Sequence, residues 1–313
     1  MTQGNQKGND YDVTEFDETH SAELRPHNVP SALVQVDIAA ESHRGLVREN
    51  NEDHYLVAHI TRSLQTVLTN LTAGLLPERF DETAYGMLVA DGMGGHSAGE
   101  VASGIALLRL MELVVQTPDW IMKLGQRDNA AIVMRRMTHR FRKIDDELRE
   151  QGDSNRSLHG MGTTLTVAAT LGTVLILSHI GDSRAYLLRG GTLHQLTKDH
   201  TLAQALIDAG IAESDDTSTQ AMRHVLTAAL GSTGERTDPQ VQRLHLSEGD
   251  QLLLCTDGLS EMVTNDSIAA VLTESRSSAT ACQALINLAL AGGGRDNITV
   301  VLARYHFPQA SQE

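Results

Sequence analysis

Three times in this chain an apolar run delivers an aspartate flanked by a small residue. The instances are Leu88-Val89-Ala90-Asp91-Gly92, Ser178-His179-Ile180-Gly181-Asp182-Ser183 and Leu253-Leu254-Cys255-Thr256-Asp257-Gly258. A fourth aspartate, Asp296 in Gly294-Arg295-Asp296-Asn297, stands just before an apolar run, and a fifth, Asp53 in Asn51-Glu52-Asp53, opens another. Taken singly, each Asp-Gly pair reads as a tight turn. Taken as a group they ask for more, because a turn does not need an apolar strand to deliver its acid every time. A carboxylate at a strand end is fixed in direction, and a following glycine lets the backbone approach an ion closely. If such ends converge, several like charges share one small volume, which is unfavourable without a cation. Oxygen donors of this kind select Mg2+ or Mn2+ over soft metals. Spacing alone leaves the convergence open.

The elements around these aspartates follow from periodicity. Alternating or continuous β-branched and apolar residues predict strands at 34–38, 56–57, 87–90, 164–170, 174–179, 185–188, 241–246, 251–255 and 298–305. Gly190-Gly191 marks a hairpin. Helical spacing predicts a helix after Gly92, opened by a capping box from Ser97 to Glu100 and continued by Val101, Ile105, Leu108 and Val115. Further helices are expected over 130–150, briefly within 199–222, and over 278–290, the last closed by glycines 292–294. Residues 59–85 read as an insertion, helical in part near 64–71. Runs of strands with separate helices indicate an α+β fold with antiparallel sheets. The aspartates come from both ends of the chain, so one domain spanning 31–307 is expected. A polar, disordered tail precedes it at 1–30 and a short tail follows at 308–313.

Charge narrows the function classes. The 313 residues carry 40 Asp and Glu against 25 Lys and Arg, a net charge of −15. Such a surface repels nucleic acid and anionic membranes. It also poses a question, since a phosphate substrate would need a positive field that the side chains do not supply. Cys255 and Cys282 lie in apolar stretches without a C-x-x-C pair and read as buried reduced thiols. No apolar run reaches the roughly 18–20 residues of a membrane helix, and the amino terminus lacks a signal-peptide pattern. A cytoplasmic protein is expected.

Six segments in order carry a resemblance. Arg48-Glu49-Asn50-Asn51-Glu52-Asp53, Asp91-Gly92-Met93-Gly94-Gly95, Gly162-Thr163-Thr164, Gly181-Asp182-Ser183-Arg184, Asp257-Gly258 and Gly294-Arg295-Asp296-Asn297 together resemble the metal-dependent protein serine/threonine phosphatases, the PPM family, in its bacterial branch. The resemblance covers about 34–305. It implies a four-layer α-β-β-α sandwich with a two-metal centre of Mg2+ or Mn2+ at one end of the sheets. It implies that Asp91 bridges the two ions, that the Gly92 carbonyl binds one, and that Asp257 and Asp296 hold the other. By the same resemblance Asp182 binds a third ion, Asp53 orients metal-bound water, Arg48 grips the substrate phosphate, and residues 199–223 form a mobile flap.

The implied reaction is hydrolysis of phosphoserine and phosphothreonine in phosphorylated proteins, opposing a bacterial Ser/Thr kinase. A metal lowers the pKa of its bound water from about 15.7 toward about 7, and two ions about 3.5–4 Å apart share the resulting hydroxide and aim it at phosphorus. The charge question then has an answer, because bound metal supplies the positive field. No phosphoenzyme is needed, so no nucleophilic Ser or Cys is nominated. His54, His96, His179 and His200 read as surface or internally satisfied residues, Gly162-Thr163-Thr164 as a strand start, and Met93 as packing. Met93 stands where many eukaryotic relatives carry a histidine thought to protonate the leaving group, which leaves the general acid to metal-bound water. The 59–85 insertion and the lack of a membrane anchor after the domain are the other departures. Two further functions fit the same residues: a pseudophosphatase that binds a partner, and a small-molecule phosphatase.

Overall fold

Apolar residues on both faces of most strands require that both faces be covered, and the architecture meets that requirement. A computed structural model of the chain describes residues 34–72, 79–94, 98–117, 127–213, 217–234 and 236–307. The order is β1 (Gln35–His43), β2 (Asp53–Gln65), β3 (Arg79–Met93), α1 (Ala98–Gln116), α2 (Arg127–Ser154), β4 (Gly162–Thr163), β5 (Leu165–Leu171), β6 (Val174–Ile180), β7 (Arg184–Arg189), β8 (Thr192–Gln195), α3 (Leu202–Asp208), β9 (Gln240–His245), β10 (Gln251–Cys255), α4 (Asp257–Ser260), α5 (Asn265–Glu274), α6 (Ser278–Ala291) and β11 (Ile298–His306). One sheet runs β1-β11-β10-β7-β8 and the other β2-β3-β5-β6-β9, with β4 paired to β3. The pairings are antiparallel.

Three cores define four layers. Between the sheets, Met87, Val89, Leu175 and Leu177 pack with Leu187, Leu252, Leu254, Val301 and Tyr305. On the outer face of the second sheet, Leu88, Val167 and Ile176 meet Leu107 and Leu110 of α1 and Phe141, Ile144 and Leu148 of α2. On the outer face of the first, Leu253, Val300 and Leu302 meet Ile268 and Leu272 of α5 and Leu285, Ile286 and Ala289 of α6. Adjacent strand residues such as Leu253 and Leu254 thus serve different cores, as the two-residue strand period dictates. The α-β-β-α sandwich expected from the resemblance is the fold observed.

Several expectations change. The stretch near 64–71 is not helical: β2 runs to Gln65 and pairs with β3 from Gln65↔Arg79 through to Asp53↔Asp91. Most of the supposed insertion is therefore a long hairpin that extends the second sheet, and cross-strand pairing prevails over the local leucine spacing. Helix α5 is absent from the sequence reading. Its signal is Thr264, whose side chain accepts from Ser267 N as an N-cap. Ser97 of the expected capping box, and the two tails at 1–30 and 308–313, lie outside the described residues. The Gly190-Gly191 hairpin is present, with both glycines at positive φ (57° and 81°) as a two-residue type I′ connection requires. Among the described residues no helix is long and apolar enough to cross a membrane.

Leu253 is fully buried against α5 and α6. Leu253→Ala is expected to cost about 2–5 kcal/mol, from lost burial plus the cavity left behind. A urea titration checks this, and an unchanged midpoint would show that the core between sheet and helices closes over the gap.

Candidate metal centre

The two sheets bring their carboxylates to one end. Asp53 begins β2 and Asp91 lies near the end of β3, and antiparallel register sets them opposite each other. Strand β10 delivers Asp257 at its exit, and neighbouring β11 begins just after Asp296, with Cys255 opposite Val300. Asp182 sits in the tight β6–β7 connection. A single cleft is lined by Asp91, Gly92, Asp182, Asp257 and Asp296 together with Arg48. The convergence that spacing left open is thus present. Asp53 is buried and is not among the lining residues, so it stands behind the wall of the cleft.

The small polar residues of the motifs hold this end in place. Thr163 Oγ1 donates to Asp91 O (2.9 Å), Thr164 N donates to the same oxygen (2.9 Å), and Asp91 N donates to Thr164 Oγ1 (3.0 Å). Gly162-Thr163-Thr164 is therefore a strand start, as expected, that clamps the backbone of Asp91. Asn297 does the same for the first motif. Its Nδ2 donates to Arg44 O and Asn50 O (2.8 Å each), and its Oδ1 accepts from Glu52 N (2.8 Å). Thr256 Oγ1 donates to Asp53 Oδ2 (2.8 Å) and accepts from Thr299 N (3.0 Å). His200 grips Gly181 from both sides: its Nδ1 accepts from Gly181 N (3.0 Å) and its N donates to Gly181 O (2.7 Å). Close approach explains Gly258, where a Cβ would lie 2.0 Å from Asn297 O.

The electrostatics of the centre are unbalanced. Asp53 is pushed up to about 7 by burial, against hydrogen bonds from Thr299 and Thr256 and with added repulsion from Asp257 and Asp296. Asp257 is pushed up to about 7 by removal from water and by Glu261 and Asp296. Asp91 is held well above the carboxylate range by removal from water and then by Asp53, Asp257, Asp182 and Asp296. Asp182 is raised likewise, by burial and then by Asp257 and Asp199. Asp53 Oδ1 and Asp257 Oδ1 are buried without a hydrogen-bond partner. Orphaned carboxylate oxygens and mutual repulsion are what a hard divalent cation relieves, and an all-oxygen donor set fits Mg2+ or Mn2+. One cation is near: Arg48 Nη2 lies 2.6 Å from Asp296 Oδ2, and this hydrogen bond raises the guanidinium's pKa.

The histidines divide. His179 is interior, bonded through Nδ1 to Thr166 Oγ1 (2.8 Å) and stacked on His200, and burial followed by repulsion from His200 lowers it to about 3. His54 Nδ1 lies 2.9 Å from Ser103 Oγ. His54 and His200 are internally bonded, as expected, whereas the buried His179 Nε2 has no hydrogen-bond partner among the described residues, and His96 lies outside them. Met93 lines the cleft and packs at Gly162. Glu52, His224 and Glu261 also line it and were not singled out. Glu52 stood inside a motif already quoted, whereas His224 and Glu261 carry no local signal.

Comparison with known proteins shows the family of the chain. The family model described as protein phosphatase 2C matches residues 78–291. The serine/threonine protein phosphatase PstP of Mycobacterium tuberculosis is 39% identical over 267 residues, covering 85% of this chain and 44% of PstP. The chain thus spans less than half the length of that relative. Protein phosphatase PhpP of Streptococcus pneumoniae is 33% identical over 258 residues, covering 82% of this chain and 93% of PhpP. A crystal structure of PstP superposes with a TM-score of 0.68 at 35% identity, over 87% of this chain and 99% of that one. A structure of the PstP catalytic domain in complex with two manganese ions gives 0.66 at 37% identity, over the same shares. The chain belongs to the protein phosphatase 2C family, the PPM phosphatases of the resemblance above.

The raised carboxylates make a stability prediction. An acid whose folded pKa lies above its unfolded value of about 3.9 favours the folded state below that value and loses this contribution as pH rises through the folded pKa. For Asp53 and Asp257 the loss falls between about pH 4 and 7. The chelated protein is therefore expected to melt at a lower temperature at pH 8 than at pH 5, and Mn2+ to raise the melting temperature more at pH 8. An equal Mn2+ effect at both pH values would show that these carboxylates do not carry the repulsion.

Proposed function

We propose that the chain is a metal-dependent phosphatase of phosphoserine and phosphothreonine in proteins, and that Asp91, the Gly92 carbonyl, Asp257 and Asp296 hold two divalent ions, with Asp182 holding a third. The observation that carries this reading is the single cleft in which these oxygens meet without enough positive charge to balance them. When bound, the ions supply Lewis-acid stabilisation of the phosphoryl charge and activation of the attacking water. Whether the cell uses Mg2+ or Mn2+, the donors are the same. PstP is named a serine/threonine protein phosphatase and PhpP a protein phosphatase, which supports phosphoproteins as substrates; a Ser/Thr kinase would be the opposing enzyme. The retained carboxylates favour an enzyme over a partner-binding pseudophosphatase.

The chain's own residues have distinct tasks. Asp53 positions rather than touches: its Oδ2 is tied to Thr256, immediately before Asp257, and its free Oδ1 is buried beside Asp91. Arg48 has two uses. In this structure it neutralises Asp296, and with a cation held by that carboxylate the exposed guanidinium would be available to bind the phosphate. The 199–223 stretch starts from the Arg184–Asp199 (2.6 Å) and His200–Gly181 contacts and leads into His224, Val225 and Leu226 of the cleft wall, and it shapes substrate choice. A cytoplasmic setting fits a kinase partner.

Turnover of a phosphothreonine peptide with Mn2+, with EDTA, and by Asp257→Asn tests the mechanism. Activity is expected only in the unmodified protein with metal, and metal-independent turnover or full activity in Asp257→Asn would overturn it. Arg48→Ala is expected chiefly to raise KM, since the phosphate loses a direct contact. An unchanged KM would remove Arg48 from the phosphate site.

A further inference from the structure

His224 and Glu261 stand at the same cleft and have no task in the reading above. His224 follows a 3-10 turn at Thr217–Met222, in the stretch whose Val225 and Leu226 also line the cleft. Glu261 closes α4, and its N–H donates to Asp257 O at 2.9 Å. That one helical turn places the carboxylates of Asp257 and Glu261, four residues apart, on the same side. His224 Nδ1 lies 2.7 Å from Glu261 Oε1. One donor atom each from His224, Asp257 and Glu261 lies within 4.8 Å of the other two, and this is the one such group among the described residues. Asp257 contributes a carboxylate whose Oδ1 is buried and unpartnered.

The donor chemistry differs from that of the aspartate centre. Mg2+ takes oxygen and gives up water reluctantly, whereas an imidazole joined to two carboxylates suits Zn2+ and its neighbours in the first transition row. Ligands at about 2.0–2.2 Å from a tetrahedral ion sit roughly 3.3 Å apart. The present set therefore needs to close by on the order of 1 Å, and side-chain rotation supplies this because His224 and Glu261 are 59% and 29% exposed.

We propose that His224, Glu261 and Asp257 form an inhibitory site for a Zn2+-class ion that ties the 217–230 stretch to α4. The ion takes the lone pairs through which His224 and Glu261 now meet, so their direct 2.7 Å contact gives way to ligation of both. It also engages Asp257, which the phosphatase reading assigns to the catalytic pair. Only the inhibitory consequence rests on that reading; the binding itself does not.

The test uses the full chain in millimolar Mg2+. Zinc is titrated against a chelating dye, and phosphopeptide turnover is followed in parallel, for the unmodified protein, His224→Ala and Glu261→Gln. Both variants are expected to retain turnover without zinc. Their zinc affinity should fall by at least the ~10-fold that loss of even a supporting group costs a metal site, with a matching rise in the zinc needed for inhibition. The His224 ring resonances of the unmodified protein should shift on adding one equivalent. Zinc that binds equally to all three proteins and leaves those resonances unmoved overturns the proposal. If the unmodified protein turns over no phosphopeptide, the phosphatase reading fails, and the dye titration still decides the site.

Discussion

Mutual repulsion among carboxylates is the constraint that organises this molecule. Asp91 alone feels Asp53, Asp182, Asp257 and Asp296. In water such groups would drift apart, so their convergence has to be enforced by something stiffer than a loop. Two antiparallel sheets stacked through a dry core provide it. Each aspartate lies at or beside the end of a strand whose other residues are locked into that core, so the cost of confining charge is spread over many apolar contacts. The polar motif residues then finish the alignment, with Thr163 and Thr164 on Asp91, Thr256 on Asp53, and Asn297 on the loop before β2.

On the proposed function, the arrangement also accounts for how an acidic protein would handle a phosphate. The positive field does not have to come from side chains alone: of the two arginines that line the cleft among the described residues, Arg48 and Arg295, Arg48 pairs with Asp296. On the proposed function, pairing Arg48 with Asp296 would make metal loading and phosphate binding two halves of one exchange. On that reading a cation on the aspartate would free the arginine, which in this structure is tied to Asp296.

Much of this is legible in the sequence, because strand-end aspartates are a local signal and the motifs keep their order. Asp91, Asp182, Asp257 and Asp296 were found that way, and the fold class followed from alternating apolar strands. What escaped was non-local. The leucines near 64–71 carry helical spacing, yet their neighbours in β2 pair with β3 across the hairpin, a partner the local window does not see. Helix α5 is short and announced mainly by its cap at Thr264. His224 meets Glu261 across 37 positions, and no motif links them; only the packing of the stretch beside the cleft against α4 does.

The side-chain amide of Asn297 joins three backbone points between residues 44 and 52 to the start of the last strand. Strand β1 likewise completes its ladder only against β11, from Gln35↔His306 to His43↔Ile298. During synthesis the earliest strand of the domain must therefore wait for the latest, and long-range pairing of this kind is slow to form. The aspartates emerge from the ribosome well before the geometry that confines them exists. A nascent chain that stops short of residue 297 carries all five of these aspartates and lacks the amide that ties the loop before β2 to the last strand.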